Sequence, residues 1–309
     1  MRILVLGAGA IGGYFGARLL ERGADVEFLV RPARAARLAA TGLRVVSAHG
    51  DFARPVRALT RADGARDLVL LSCKAYDLDD AIAAIKPAVG PHTRVLPLLN
   101  GLRHLAALDA AFGAARVLGG VAHISVTLDA EGTIRHLGKL ERLTFGSRDR
   151  GVDVPAPVRS ALLAPGPQAV ESTDILTAMW DKFSLIATLA GMTCLMRASV
   201  GEIVATADGA DLIRRLHGEC CAVAAHSGHA LPAAAVTAAE AILTGAGSPL
   251  KASMLRDLEH GARTEGEHIL GDMRARAAGC GLDAPLLAAA LTHLRVYEAA
   301  RRAPPATAV

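Results

Sequence analysis

The chain opens on a short apolar run, Arg2-Ile-Leu-Val-Leu6, that stops at Gly7. A run of this length bounded by glycine reads as a strand covered on both faces. A glycine-rich turn follows, then helical periodicity through Leu20 that ends at Gly23. Residues 25–30 (DVEFLV) read as a second strand, so a βαβ unit occupies the start of the chain. A helical patch is predicted near 33–40, and Thr41-Gly42 leads into a predicted hairpin: LRVVS, the turn HGD, and the return arm FARPVRAL. Residues 67–73 (DLVLLSC) and 94–99 (RVLPLL) are further buried strands, with a helix from Asp77 to Ile85 between them. More strands are expected at 116–124 and in two stretches around 133–146. The pattern is that of a doubly wound α/β sheet with an antiparallel extension.

Near residue 170 the character changes. From Asp174 onward the apolar positions recur with helical period and strand signal almost vanishes. Helices are predicted at about 174–196, 206–228, 232–244, 252–279 and 284–301, with Pro249 and Pro285 as punctuation and a frayed tail, APPATAV, at 303–309. The expected fold class is therefore α/β. A Rossmann-type doubly wound sheet occupies residues 1–170, and an all-helical domain occupies 171–309.

Composition narrows the function. A chain of 309 residues that is 52% hydrophobic and 21% charged has material for two cores and is not globally disordered. The net charge of +4 is spread as single arginines among acids, which gives no footprint for nucleic acid. No uninterrupted apolar stretch of about 18 residues is present, so no transmembrane helix is expected. The opening residues lack the apolar core and cleavage site of a signal peptide, so a cytoplasmic location is expected. Five cysteines, none in a CxxC pair, suggest neither a disulfide framework nor a metal site. The Ala- and Leu-rich helices of the second half would suit a homodimer.

The strongest motif is GxGxxG. Gly7, Ala8, Gly9, Ala10, Ile11 and Gly12 follow a strand and open a helix, the context in which this pattern binds a dinucleotide. Gly7 serves the tight turn, Gly9 the approach of the pyrophosphate, and Gly12 the helix–strand packing. The end of the second strand selects the cofactor. An acidic residue there would serve the ribose hydroxyls of NAD, whereas this chain has Arg31, with Arg34 and Arg37 after it. A cation matches a 2′-phosphate, so NADP(H) is the expected cofactor. Arg34 and Arg37 read equally well as a solvated helix face, and Glu27 falls too early for the ribose role.

Candidates for chemistry lie beyond the carboxyl ends of later strands, where open α/β sheets bind ligands. Lys74 follows the strand that ends SC, and Asn100-Gly101 follows the next one. Lys182 sits on an apolar helical stripe with Ala178, Leu185, Ile186 and Leu189. Such a lysine either snorkels to the surface or is held in a pocket that lowers its pKa and makes it a proton donor. Ser253, Asp257 and Glu265 are spaced to share one side of a helix, in a stretch that also reads as a charged surface. His123 and His136 lie in strand-like segments and read as structural.

Taken together, GAGAIGG at 7–13, Arg31, SCKAYD around Lys74, LNG at 99–101, Trp180-x-Lys182, and the S-M-L-x-D and T-E pattern of Ser253, Asp257 and Glu265 resemble the ketopantoate reductase family over nearly the whole chain. The resemblance implies reduction of a 2-oxo acid, 2-dehydropantoate (ketopantoate), in a cleft between two domains, as a step of pantothenate biosynthesis. It assigns Lys182 as general acid, and Asn100 as the residue placing the nicotinamide and the lysine. It gives Glu265 the orienting of substrate and lysine, and Ser253 the substrate carboxylate, with Lys74 nearby. The family carries asparagines four and eight residues after the lysine and one before Gly201-Glu202. This chain has Ile186, Ala190 and Val200 there. A substrate pocket lined by Ile186 and Ala190 lacks amide partners for a hydroxylated substrate, so a more apolar 2-oxo acid becomes an alternative, unless Ser184, Thr188 or Thr193 takes over. A non-catalytic NADP(H)-binding regulator and a 3-hydroxyacid or sugar-acid dehydrogenase are the other readings.

Overall fold

The computed structural model describes residues 1–163 and 168–302; the tail 303–309, expected to fray, lies outside them. The chain divides into two compact units. One comprises Met1–Leu99 and His104–Ala178, the other Asn100–Arg103 and the chain from Met179 on.

The first unit begins with β1 (Arg2–Leu6), α1 (Ala10–Glu21), β2 (Asp25–Leu29) and α2 (Pro32–Thr41). It continues with β3 (Leu43–Val46), β4 (Phe52–Arg54), β5 (Arg57–Leu59), β6 (Leu68–Leu71), α3 (Leu78–Ile85) and β7 (Arg94–Pro97). After α4 (Arg103–Phe112) come β8 (Gly119–Leu128), β9 (Ile134–Gly146), α5 (Ala156–Leu163) and β10 (Gln168–Glu171). Five strands form a parallel sheet in the order β5-β2-β1-β6-β7. Counted along the chain, that is 3-2-1-4-5, the Rossmann order. Its central strands are wholly buried: Leu68–Leu71 and Ile3–Val5 are each fully covered, as a strand between two layers of helix must be. The second sheet runs β10-β9-β3-β4, with β8 antiparallel to β9.

Two strand expectations are corrected here. The return arm of the hairpin is not continuous. Phe52–Arg54 pairs with β3, whereas Arg57–Leu59 leaves to join the parallel sheet beside β2. Pro55 stands at the break and has no amide to offer a ladder. Conversely, the two stretches expected around 133–146 are one strand of 13 residues, paired along β8 with a register shift between Ile124 and Val126.

The second unit, among its described residues, is helical. Its helices are α6 (Ile175–Met196, entering from the first unit), α7 (Val200–Val204), α8 (Gly209–His226), α9 (Ala233–Leu243), α10 (Ser253–Glu259), α11 (Asp272–Gly279) and α12 (Pro285–Arg302). The helix expected over 252–279 is broken. α10 ends at Gly261, whose φ of +68° is the left-handed cap conformation. The Ala262 amide reaches back to the Asp257 carbonyl at 2.8 Å and the Gly261 amide to Leu258 at 3.1 Å, the paired bonds of a Schellman cap. A π turn, Glu267–Gly271, then leads into α11. Ser253 and Glu265 therefore do not share a helix face: Ser253 starts α10, while Glu265 stands in the connection before the π turn. Among the described residues no helix is long and apolar enough to cross a membrane.

Candidate active site

In the first unit, Gly7 turns the chain after β1 with φ +89°, which an L side chain rarely adopts. Its amide donates to the Leu29 carbonyl at 2.9 Å and so ties the loop to the end of β2. A side chain on Gly12 would collide with the Ser72 hydroxyl and the Gly7 carbonyl, so only glycine lets α1 lie this close to β1. Gly9 is the opposite case: a Cβ there would meet nothing within 4 Å. Gly9 caps α1 without a side-chain hydrogen bond, and no acidic residue stands in the first turn. The leading amides of Ala10, Ile11 and Gly12, with the positive end of the helix dipole, are thus left for an anion.

A cavity of about 590 Å³ opens over this turn, lined among others by Gly7, Ala8, Gly9, Arg31, Ser72 and Asp77. It sits beyond the carboxyl ends of β1, β2 and β6, where the strand order reverses, the usual ligand position in such sheets. The open cradle at Gly9 and the uncompensated helix end fit a dinucleotide. Lys74 stands one residue past Cys73 of the lining, half-buried, at the start of a 3₁₀ turn over Ala75–Asp77.

Arg31 lies at the cavity with its side chain 77% exposed, and Nη2 donates to Asp77 Oδ2 at 3.1 Å. Such an exposed pair is weak and yields readily to a phosphate. Arg34 and Arg37 are not merely a solvated face. Arg34 donates through Nε (3.1 Å) and Nη2 (2.8 Å) to the Ala8 carbonyl, and Arg37 donates to the Ala130 carbonyl at 2.9 Å. They pin α2 to the glycine turn and to the β8–β9 connection. Glu27 is buried and engaged by Arg66 at 2.7 Å and by Arg57, so it does not serve a ribose.

In the second unit, Asn100 and Glu265 meet around a residue the sequence reading passed over, His268. Its Nε2 donates to the Asn100 carbonyl at 2.9 Å, while its own amide donates to the Glu265 carbonyl at 3.0 Å. Burial lowers the His268 pKa, with Glu265 and the Asn100 carbonyl opposing, so the ring is neutral at neutral pH and carries its proton on Nε2. Gly101 makes the turn possible. Its φ is +77°, and a Cβ would come within 3.1 Å of Ile269 and 3.5 Å of the His268 ring. The preceding Thr264 is fixed by Glu298 of α12, which accepts from its amide (2.7 Å) and its hydroxyl (2.9 Å). Neither His268 nor Glu298 carries a local motif; the only hint of His268 is its place in the polar stretch after Ser253.

Lys182 lies on α6, where the neighbouring Trp180 anchors the helix between Phe183, His229 and the Arg276 guanidinium, 5.2 Å over its ring. The residue is half-buried, and desolvation of its ammonium lowers the pKa from 10.5 to about 8. Ser253 opens α10 and is exposed.

A family model described as ketopantoate reductase PanE/ApbA matches residues 3–150, and its C-terminal counterpart matches 174–298. The chain belongs to the ketopantoate reductase family. An uncharacterized oxidoreductase, YkpB, of Bacillus subtilis is 36% identical over 97% of this chain and 99% of its own. A 2-dehydropantoate 2-reductase of Mesorhizobium japonicum is 32% identical over 86% of this chain and 88% of its own. The crystal structure of 2-dehydropantoate 2-reductase from Methylococcus capsulatus has a TM-score of 0.87 at 30% identity, covering 99% of both chains. The chain is thus a 2-dehydropantoate 2-reductase-like oxidoreductase.

Measured against the ketopantoate reductase pattern, the helix face of Lys182 is apolar. Ile186 and Leu189 are half-buried, Ala190 is 4% exposed and Val200 1%. The hydroxyls of Thr188 and Thr193 are engaged within the helix, whereas the Ser184 hydroxyl has no hydrogen-bond partner. All three residues are fully buried. Thr188 and Thr193 spend their protons on the carbonyls one turn back, Ser184 at 2.8 Å and Leu189 at 2.7 Å.

Proposed function

We propose that the chain reduces a small 2-oxo acid with NADPH, with ketopantoate, giving pantoate, as the first substrate to test and Lys182 as the proton donor. The observation that carries this reading is a lysine held near pKa 8 on an apolar helix face, in a chain whose other unit presents a dinucleotide cradle. Gly7–Gly12 would hold the pyrophosphate, and Arg31 the 2′-phosphate that distinguishes NADPH. When bound, the cofactor supplies the hydride that adds to the carbonyl carbon. The Lys182 ammonium gives its proton to the carbonyl oxygen, which becomes the hydroxyl, and leaves a neutral amine. A pKa near the working pH suits both the delivery and the recovery of that proton. Ser253 would bind the substrate carboxylate with Lys74, and Glu265 and Asn100, linked through His268, would position substrate and nicotinamide.

A second reading concerns the substrate side chain. Ile186 and Leu189 on the lysine face, with all three nearby hydroxyls buried, favour an apolar 2-oxo acid over a hydroxylated one.

The test is NADPH oxidation with ketopantoate beside branched and linear 2-oxo acids, for wild type and Lys182→Ala. Loss of about 10² or more in kcat on substitution supports the proton-donor role; turnover within about tenfold of wild type ends it. Ketopantoate turned over at about 10⁴ M⁻¹s⁻¹ or better supports the first reading of the substrate, while a strong preference for an apolar acid supports the second. Tight NADPH binding with no turnover across the panel would favour a non-catalytic regulator.

A further inference from the structure

The sheet-bearing unit holds a second cluster of chemistry-bearing groups that the reductase reading does not use. His49 follows β3, and His136 and Glu141 lie on β9; a nitrogen of each ring and a carboxylate oxygen all fall within 4.8 Å of one another. We propose that this cluster is a binding site for a divalent transition cation, zinc foremost.

Three observations support the assignment. First, the three donor atoms already lie within 4.8 Å of one another, near enough for small side-chain movements to close them on one ion. Ligands about 2.0–2.1 Å from a tetrahedral zinc lie roughly 3.4 Å apart, and His49 Nε2 is 3.9 Å from Glu141 Oε2. Second, His136 is already oriented as a ligand. Its Nε2 donates to the Leu140 carbonyl at 3.0 Å, which leaves Nδ1 unprotonated and facing Ser47 Oγ at 3.0 Å. Fixing the far nitrogen on a carbonyl is how metal-binding histidines are held. Third, Glu141 is 5% exposed, yet its Oε1 is buried without a hydrogen-bond partner, while Oε2 accepts from the Tyr14 hydroxyl. Oε2 is the oxygen that faces His49, so the carboxylate is held in place with a donor turned toward the cluster.

His49 is the gate of the site. Its side chain is 42% exposed, which gives an entry path from solvent. Its Nε2 now donates to the Lys139 carbonyl at 2.8 Å. Binding moves that proton to Nδ1 and turns the exposed ring so that the Nε2 lone pair leaves the Lys139 carbonyl and faces the metal, and water from the exposed side completes the tetrahedron. Two histidines and a carboxylate suit zinc, whereas magnesium and calcium prefer oxygen ligands throughout. The site would clamp the β3–β4 turn to β9 and to Tyr14 of α1.

Equilibrium dialysis or calorimetry of the chelator-treated, dialysed full chain with Zn²⁺ tests this, alongside His49→Ala and Glu141→Gln. The expected result is one Zn²⁺ per wild-type chain, with affinity lowered at least about tenfold by each substitution. His49→Ala removes an exposed ring and should leave the fold intact, so it carries the test if Glu141→Gln is unstable. Absence of a saturable site overturns the proposal, as does one Zn²⁺ per chain held equally well by folded His49→Ala.

Discussion

Lys182 makes the reaction's pH dependence specific. Its pKa is lowered to about 8 by desolvation, whereas a solvated lysine stays protonated to about 10.4. A proton donor works only when charged, so kcat/KM for 2-oxo acid reduction should be level below about pH 8 and fall about tenfold per unit above it. A profile without a break near 8 would remove Lys182 from that role. The same shift bears on stability. The unfolded chain holds this proton more tightly than the folded one, so the destabilisation is complete below pH 8 and relieved as pH rises from 8 toward 10.5. Lys182→Met should therefore raise Tm at neutral pH while abolishing turnover, which calorimetry and the NADPH assay would show together. Arg31 is the other residue with a separable effect. A charge-assisted hydrogen bond is worth about 1.5–3 kcal/mol, so Arg31→Ala should raise KM for NADPH by about 10- to 100-fold. KM for NADH should stay unchanged; an equal loss with both cofactors would mean that Arg31 does not read the 2′-phosphate.

At the scale of elements, the Asn100-Gly101 turn decides more than its size suggests. Gly101 has φ +77°, and a Cβ would press on Ile269 at 3.1 Å. Gly101→Ala should lower stability by about 1–2 kcal/mol from the left-handed backbone alone. It should also lower kcat, because the carbonyl that His268 holds is displaced. NADPH affinity should change little, since the Gly7–Gly12 turn is a separate element; a titration of cofactor fluorescence against kcat separates the two. This turn also shows what could be read from the sequence. Asn-Gly at the end of an apolar run is local, as is the GxGxxG turn, and both stand out as candidate site elements because strand, glycine and position are adjacent in the chain. His268 and Glu298 were not, because their partners Asn100 and Thr264 stand far away in sequence and no periodicity records such pairs. The broken helix at 252–279 failed for a related reason. Its composition is helical throughout, and a single left-handed Gly261 stops it. The split hairpin arm likewise turns on Pro55, where the choice between two sheets is made by partners distant in sequence.

For the whole molecule, the cofactor contacts and the proposed proton donor belong to different units of the chain, so they can be lost separately. Every residue lining the dinucleotide cavity lies between Leu6 and Leu128 in the sheet-bearing unit, whereas Lys182 and Glu265 belong to the helical one. A ligand at 100 times its Kd stabilises the folded chain by about 2.7 kcal/mol. At about 2–4 °C per kcal/mol for chains somewhat smaller than this one, NADPH should raise Tm by about 5 °C. NADH at the same concentration should raise it less, because it lacks the phosphate that Arg31 is proposed to hold. Lys182→Ala should retain the full NADPH shift while losing turnover, since it removes a proton and not a cofactor contact. That combination distinguishes a reductase from a protein that only binds the cofactor. In the regulator the wild type itself shows the shift without turnover, and Lys182→Ala changes neither. Loss of the NADPH shift in Lys182→Ala would instead show that the helix holding the lysine takes part in cofactor binding, and the lysine's proposed role would have to be rebuilt on that footing.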